Sequence, residues 1–356
     1  MIKAEVPVPP RRFRSRTARI ALLCLALATA LVTASALVEL LTSYPPFVDI
    51  EIPLRAADRW LHGGMPYLAS SFSAPVGYDL PFLYPPVVLP FLAPLTLLPR
   101  EVVCAGWLAV VVAAGVFTLR RLGVPWIAVA PILAWPPFAE GLLGGNVQVI
   151  LVAAFVAVYV PGSSRRVGRW ADARDGTLAA LIPTFKITQP HAWFALLRDR
   201  PRAAVLGAIV IAGIAAGTIP LVGTQLWFDW FDQVKRAADP AWPLAGASLT
   251  AGMPAAVGFV VLAATVAATL AAPRTRLAAW VGALTVVGAP SLRMFGILFL
   301  LPALFRIRVE IALVAALLVS TYTLQGLWAG IAVGLVGLIG AERYRLFQEF
   351  PEPEAL

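Results

Sequence analysis

Charge is scarce in this chain, and lysine, histidine and cysteine are scarcer still. Only 13% of the 356 residues are Asp, Glu, Lys or Arg, against about a quarter in an ordinary soluble domain. With 60% hydrophobic residues and a mean hydropathy of +0.83, the composition excludes a soluble fold and defines an integral membrane protein. No stretch is long and polar enough to form a separate soluble domain. The two histidines, His62 and His191, are far apart, so a zinc pair at helical spacing is excluded. The two cysteines, Cys24 and Cys104, each lie inside an apolar run, which excludes a disulfide framework and leaves them as packing residues. Fixed-period repeats, low-complexity tracts and heptads are also missing.

What charge there is has a pattern. The net charge is +9 and the pI about 10.1, but the basic residues fall in short clusters between apolar runs, without aromatic interleaving. That pattern reports membrane topology and gives no nucleic-acid partner. Five arginines (Arg11, Arg12, Arg14, Arg16 and Arg19) precede "IALLCLALATALVTASALVELL", which is longer than a signal-peptide core and reads as an uncleaved first span. Residues 1–19 are then a cytoplasmic basic N-terminus, and the segment after the span, 43–81, is extracytoplasmic. Further clusters stand at Arg120-Arg121, Arg165-Arg166-Arg169, Arg198-Arg200-Arg202, Arg274-Arg276, Arg306-Arg308 and Arg343-Arg345. If all are cytoplasmic, each intervening segment must leave and return.

That parity rule predicts an outer turn at "EGLLGGNVQ" (140–148), ordinary spans over about 203–222 and 249–272, and a last pair over about 309–322 and 324–340. A second extracytoplasmic loop, 223–248, carries Trp227, Trp230 and Trp242 as interfacial residues. The stretch "DGTLAALIPTFKITQPHAWFALL" is too short for two full spans and is punctuated by Pro183 and Pro190, so it predicts a broken or re-entrant hairpin with Lys186 near its tip. The stretch 277–305 predicts a second short pair, with Pro290, Ser291 and Arg293 at its turn. "FLYPPVVLPFLAPLTLLP", with five prolines, reads as a kinked or partial span beside the full span that follows it. The fold expected is an all-α polytopic membrane protein of about 9–11 transmembrane or re-entrant helices, forming one domain over 20–341. A cytoplasmic tail, 342–356, follows, and both termini are cytoplasmic. The preference for arginine over lysine, with abundant alanine, points to a high-GC bacterial source and hence to a bacterial plasma membrane.

Ionisable groups at membrane depth are expensive, roughly 2.5 to 3.5 kcal/mol on insertion scales, so they line cavities or find partners. Lys186 has two readings: a cation snorkelling to the interface, or a cation offered to a phosphate in a polar cleft. Arg293 has the same two. His191 reads as a ligand, an acid or a hydrogen-bonded structural residue. Asn146 and Gln148 flank a tight turn, where they either bond the turn itself or hold sugar hydroxyls. In "VDIEIPLRAADRWLHGG" the residues Ile50, Leu54, Ala57 and Leu61 share one helical face, and Gly63-Gly64 end the helix. Glu51 with Arg55 and Asp58 with His62 have the spacing of exposed pairs. Asp49, at the start, reads locally as a helix N-cap.

Taken in order, these segments resemble a known family. Asp49 leads the amphipathic stretch, and "GGMPY" (63–67), "FLYPPVVLPFLAPLTLLP", "GGNVQV" and "IPTFKITQPHAWFALLRDR" follow. The series resembles the polyprenyl-phosphate-mannose-dependent mannosyltransferases of glycosyltransferase family 87, membrane enzymes of the GT-C fold, over roughly residues 20–210. The family turn Gly-Gln-x-Asn stands here as Gly145-Asn146-Val147-Gln148, with the amides exchanged. The family's Ser-Pro-x-x-Trp-x-His-Tyr pattern is reduced to "APSLRMFG" (289–296), without Trp or His.

The resemblance implies a GT-C-like bundle with an extracytoplasmic active site. It implies Asp49 as catalytic base, Lys186 and then Arg293 as binders of the donor phosphate, and Asn146, Gln148, Tyr84, His191 and Glu140 as substrate-binding residues, with no metal and no cofactor. The expected reaction moves mannose or a related sugar, with inversion, from a polyprenyl-phosphate donor to a lipid-linked or cell-envelope glycan acceptor. Partners are then those two substrates and membrane lipids. Two other readings stand beside it: a secondary transporter or lipid flippase, whose broken helices and buried cations look similar, and an inactive relative serving as a membrane scaffold, motivated by the missing Trp and His.

Overall fold

The computed structural model describes residues 16–43, 45–67, 81–160, 168–187, 189–237, 255–289, 294–306 and 309–320. Arg293, Trp242, most of 68–81 and the expected span 324–340 lie outside the described residues. Within them the chain is all-helical, without strands, as expected of an all-α polytopic membrane protein.

Helix α1 (Arg16–Ser43) is the first span, and its exposed Leu23, Leu27 and Leu31 present apolar surface outward. After it comes the amphipathic α2 (Val48–Leu61), then a short α3 (Val88–Leu92) continued by the 3-10 turn Ala93–Leu97. The next helix, α4 (Arg100–Arg121), has 22 residues, a length of about 33 Å that matches the hydrocarbon core of a bilayer. The two segments that had to make one net crossing therefore divide into a partial helix and a full one. Pro90 and Pro94 explain why the first is cut short.

Helices α5 (Trp126–Leu133) and α6 (Pro136–Gly144) are bent by 72° at the intervening break. Pro136 and Pro137 open α6, where a missing N–H costs nothing. Gly145 ends it in the left-handed conformation, φ 69°. Its N–H bonds to the Leu142 carbonyl at 3.2 Å, and that of Asn146 bonds to the Gly141 carbonyl at 2.8 Å, the Schellman pattern. The expected turn 140–148 is therefore corrected. Glu140 to Gly144 are helical, and the turn is only Gly145 to Val147.

Helix α7 (Gln148–Tyr159) returns, and α8 (Arg169–Phe185) runs antiparallel to it. The chain breaks at Lys186 and continues as α9 (His191–Asp199), so the predicted broken hairpin is present, with Lys186 at the break. Helices α10 (Pro201–Val222), α11 (Gln225–Ala237), α12 (Ala255–Ala271) and α13 (Leu277–Val287) follow, then the 3-10 segment Met294–Leu300, α14 (Leu301–Leu304) and α15 (Val309–Ser320). By length and composition α1, α4 and α10 can each cross a membrane, and the bent pair α5–α6 can make a fourth crossing.

Small residues set how closely these helices approach, as they do in membranes where lipid is as apolar as leucine. A Cβ on Gly176 of α8 would lie 2.2 Å from the Ala203 carbonyl oxygen of α10, and one on Gly282 of α13 would lie 2.1 Å from that of Phe299.

The two ends of this bundle differ chemically. At one end the arginines bind backbone carbonyls that helix C-termini leave unsatisfied. Arg121 donates to Val160, Arg200 to Val158, and Arg198 to both Thr269 and Ala272. Asp175, buried, pairs with Arg174 and Arg200. At the other end of α4, α7 and α8 lie Arg100, Gln148 and Lys186, together with α2, α3 and α11. These three short helices share a second apolar cluster built on Ala56, Ala57, Phe82, Leu89 and Trp230.

Candidate active site

The start of α2 is pinned to the end of α6. Phe47 adopts a left-handed backbone, φ 63°, and its N–H donates to the Leu143 carbonyl at 2.7 Å. Phe47 is the N-cap of α2 and no side chain caps the helix, which corrects the local reading of Asp49. Asp49 stands inside the first turn, where its side chain is released from capping to face the Gly145–Val147 turn. Ile50 packs beside Gly145, whose Cβ position lies 3.0 Å from Ile50 Cγ2 and 3.1 Å from the Trp107 ring. Trp107 Nε1 donates to the Gly145 carbonyl at 2.6 Å. The turn is thus held from both sides.

Asn146 is the centre of the site. Its Nδ2 donates to Asp49 Oδ2 at 3.0 Å. Its Oδ1 accepts the Gln148 N–H at 2.8 Å and the Lys186 ammonium at 3.4 Å. The amide orientation follows from these partners, since only a donor suits the carboxylate and only an acceptor suits the N–H and the ammonium. Both lone pairs of Oδ1 are engaged, so Asn146, 3% exposed, fixes the relation of Asp49 to Lys186 and opens α7 at the same time. Of the two sequence readings of its role, the bond to the turn itself is the one observed.

Lys186 also lies over the Phe295 ring, 4.7 Å from its centroid, a cation–π contact. Its backbone carbonyl accepts the Gln189 N–H at 2.9 Å. Gln148 is fully buried and its Nε2 donates to Gln189 Oε1 at 3.1 Å. Tyr84 precedes α3; its ring stacks obliquely on Phe82, and its carbonyl accepts the Tyr67 hydroxyl at 2.9 Å. Burial first, and then the Asp49 carboxylate, push the Tyr84 phenol above its usual value, so it stays protonated as a donor.

Glu140 is buried within α6. His191 opens α9 with its ring against Gly288, whose Cβ position would lie 2.5 Å from Nε2. Its Nδ1 is buried without a hydrogen-bond partner among the described residues. Glu51 is no solvated surface residue: it is 14% exposed and pairs with both Arg55 and Arg100, tying α2 to the start of α4. Asp58 and His62 do form the exposed pair expected, at 3.4 Å. The buried face of α2 is Val48, Ile50, Pro53, Ala56 and Ala57, while Leu61 is exposed.

Sequence reading missed Gln189 and Phe295. Gln189 carried a signal, a polar side chain between Lys186 and Pro190 in a helix break. Phe295 carried none, being one apolar residue in an apolar run.

A carboxylate and an ammonium are thus held by one amide at one end of a helical bundle. Residues 82–250 match the model of Glycosyltransferase family 87, which supports the family assignment read from the motifs and implies a membrane glycosyltransferase. The matched segment contains Tyr84, Glu140, Asn146, Gln148, Lys186 and His191, and leaves Asp49 and Arg293 outside it. No curated protein and no solved structure matches the chain.

Proposed function

We propose that the protein transfers mannose or a related sugar from a polyprenyl-phosphate donor to a lipid-linked or cell-envelope glycan acceptor, with inversion, on the extracytoplasmic face of a bacterial plasma membrane. The observation that carries this reading is the Asp49–Asn146–Lys186 bridge. It holds a carboxylate and an ammonium at a fixed separation through a neutral amide, which supports the roles of base and phosphate-binding cation. The arginine end then faces the cytoplasm, in agreement with the charge pattern.

In the reaction the acceptor hydroxyl oxygen attacks the anomeric carbon from the face opposite the phosphate. The bond from that carbon to the phosphate oxygen breaks, and its electron pair leaves with the polyprenyl phosphate. The hydroxyl proton passes to the Asp49 carboxylate. One carboxylate suffices, because the phosphate departs without needing a proton. Lys186 lies where it meets charge developing on the leaving phosphate, with Arg293 as the second cation of the proposal. Asn146 keeps one Asp49 oxygen occupied as a hydrogen-bond acceptor and so fixes the direction of the other.

The test is Asp49→Asn in the full-length protein, assayed with polyprenyl-phosphate sugars and membrane glycolipid acceptors. Transfer should be abolished while the protein remains folded in the membrane. Retained transfer removes Asp49 from the mechanism.

A further inference from the structure

Gln148 and Gln189 come from different segments of the chain and meet at the head of the site. Gln148 is fully buried and Gln189 is 4% exposed. Their side chains share one hydrogen bond, 3.1 Å from Gln148 Nε2 to Gln189 Oε1, and Gln148 Oε1 is buried without a hydrogen-bond partner among the described residues. A buried amide oxygen left without a donor is unfavourable and uncommon, and asks for an explanation.

Two primary amides that share one bond keep one free carbonyl oxygen and one free amino group for a third group, whichever of the two amides is the donor. A hydroxyl satisfies both, since it donates and accepts. A phosphate oxygen has no proton to give the carbonyl, and an ammonium cannot accept the N–H. The pair is therefore matched to a neutral hydroxyl, the group a sugar presents. Its location assigns that hydroxyl to the donor. The Gln189 N–H is bonded to the Lys186 carbonyl at 2.9 Å, and the Gln148 N–H shares Asn146 Oδ1 with the Lys186 ammonium.

We propose that the Gln148–Gln189 pair is a hydroxyl-reading subsite for the donor sugar, set beside the phosphate-binding Lys186 and responsible for preferring the loaded carrier over the bare one. This rests on the reading of the protein as a polyprenyl-phosphate-dependent transferase. Lys186 contributes affinity for any polyprenyl phosphate, and the amide pair contributes discrimination by the sugar, because a site built around a hydroxyl leaves its own groups unpaired when the hydroxyl is missing.

The experiment is equilibrium binding to the full-length protein in lipid nanodiscs. Probes are polyprenyl phosphate alone and polyprenyl phosphate carrying mannose, glucose or arabinose. At least one loaded carrier should bind wild type about 10-fold more tightly than the bare carrier. Gln189→Met, which keeps length and removes the amide, should abolish that preference without changing affinity for the bare carrier. Equal binding of bare and loaded carriers by wild type, or a preference that survives Gln189→Met, overturns the proposal. A second arm needs no variant. Monodeoxy forms of the best-bound sugar should include one whose affinity falls about 10-fold, and equal affinity for all of them overturns it too. Acceptor affinity should not change in Gln189→Met; a loss confined to the acceptor places the subsite on the wrong substrate. Sugar-dependent binding without transfer to any acceptor rejects the transferase reading and leaves the subsite standing. Transfer with sugar-independent donor binding rejects the subsite alone.

Discussion

Replacing Asn146 by Asp changes one atom of the bridge and reverses its electrostatics. The donor 3.0 Å from Asp49 Oδ2 becomes a carboxylate oxygen, while the acceptor serving the Gln148 N–H and Lys186 is kept. Two unit charges at that separation repel by about 5.5 kcal/mol at an effective dielectric of about 20. The charge-assisted hydrogen bond lost with the amide adds about 1.5–3 kcal/mol. Lys186, 3.4 Å from Oδ1, stabilises the new carboxylate by about 4.9 kcal/mol on the same basis. The new group therefore keeps its charge and Asp49 takes the proton. Since Asp49 is the proposed base, Asn146→Asp should lower transfer at pH 7 by at least about 100-fold. Its rate should recover as pH rises, because the penalty falls on the ionised form of Asp49. The assay is kcat/KM against pH from 5 to 9 for wild type and variant, with thermal unfolding as a control for folding. If Asn146→Asp follows the wild-type rate and profile, then either Asp49 is not the base or the bridge does not position it.

Lys186→Ala should weaken binding of bare polyprenyl phosphate by about 10-fold or more, as expected for loss of a charged hydrogen-bond donor; unchanged donor affinity returns Lys186 to a packing role. Gly145→Ala meets both a left-handed backbone and contacts of 3.0 and 3.1 Å to Ile50 and Trp107, so it should cost about 1–2 kcal/mol and lower kcat by displacing Asp49. Both effects are read by thermal unfolding and turnover. Gly176→Val puts side-chain atoms where even a Cβ would lie 2.2 Å from the Ala203 carbonyl oxygen. It should separate α8 from α10 and reduce the folded yield, measured by size-exclusion recovery from membranes; a normal yield would mean that the two helices do not approach as described.

The breaks in this fold were legible because proline and glycine act locally. Gly145, Lys186-to-Pro190 and Gly63-Gly64 all interrupt or end helices where the sequence places them, while the break before Pro136-Pro137 was not read. Asp49, Asn146 and Lys186 stood out for a related reason, since each is a polar residue at a break between apolar runs. Their joining did not. Asp49 and Asn146 are 97 residues apart in sequence, and nothing in the periodicity of either segment records that α2 begins against the end of α6. Glu51 shows the same limit: its spacing to Arg55 is local, while its bond to Arg100 depends on where α4 starts. Asp49 itself was misread as a cap because the left-handed Phe47 ends up fastened to Leu143, a tertiary contact that overrides the local preference.

The arginines at the far end carry a consequence for motion. Arg198 grips two carbonyls of the α12 terminus, Arg200 joins Asp175 to the end of α7, and Arg121 holds Val160. A planar guanidinium spans two oxygens at once, which a lysine ammonium does not do in the same fixed geometry. These staples make that end a footing to which the ends of α4, α7, α8, α9 and α12 are bolted. On the proposed reading, a lipid-borne donor enters at the opposite rim, around α2, α3 and α11, with the footing as the fixed end.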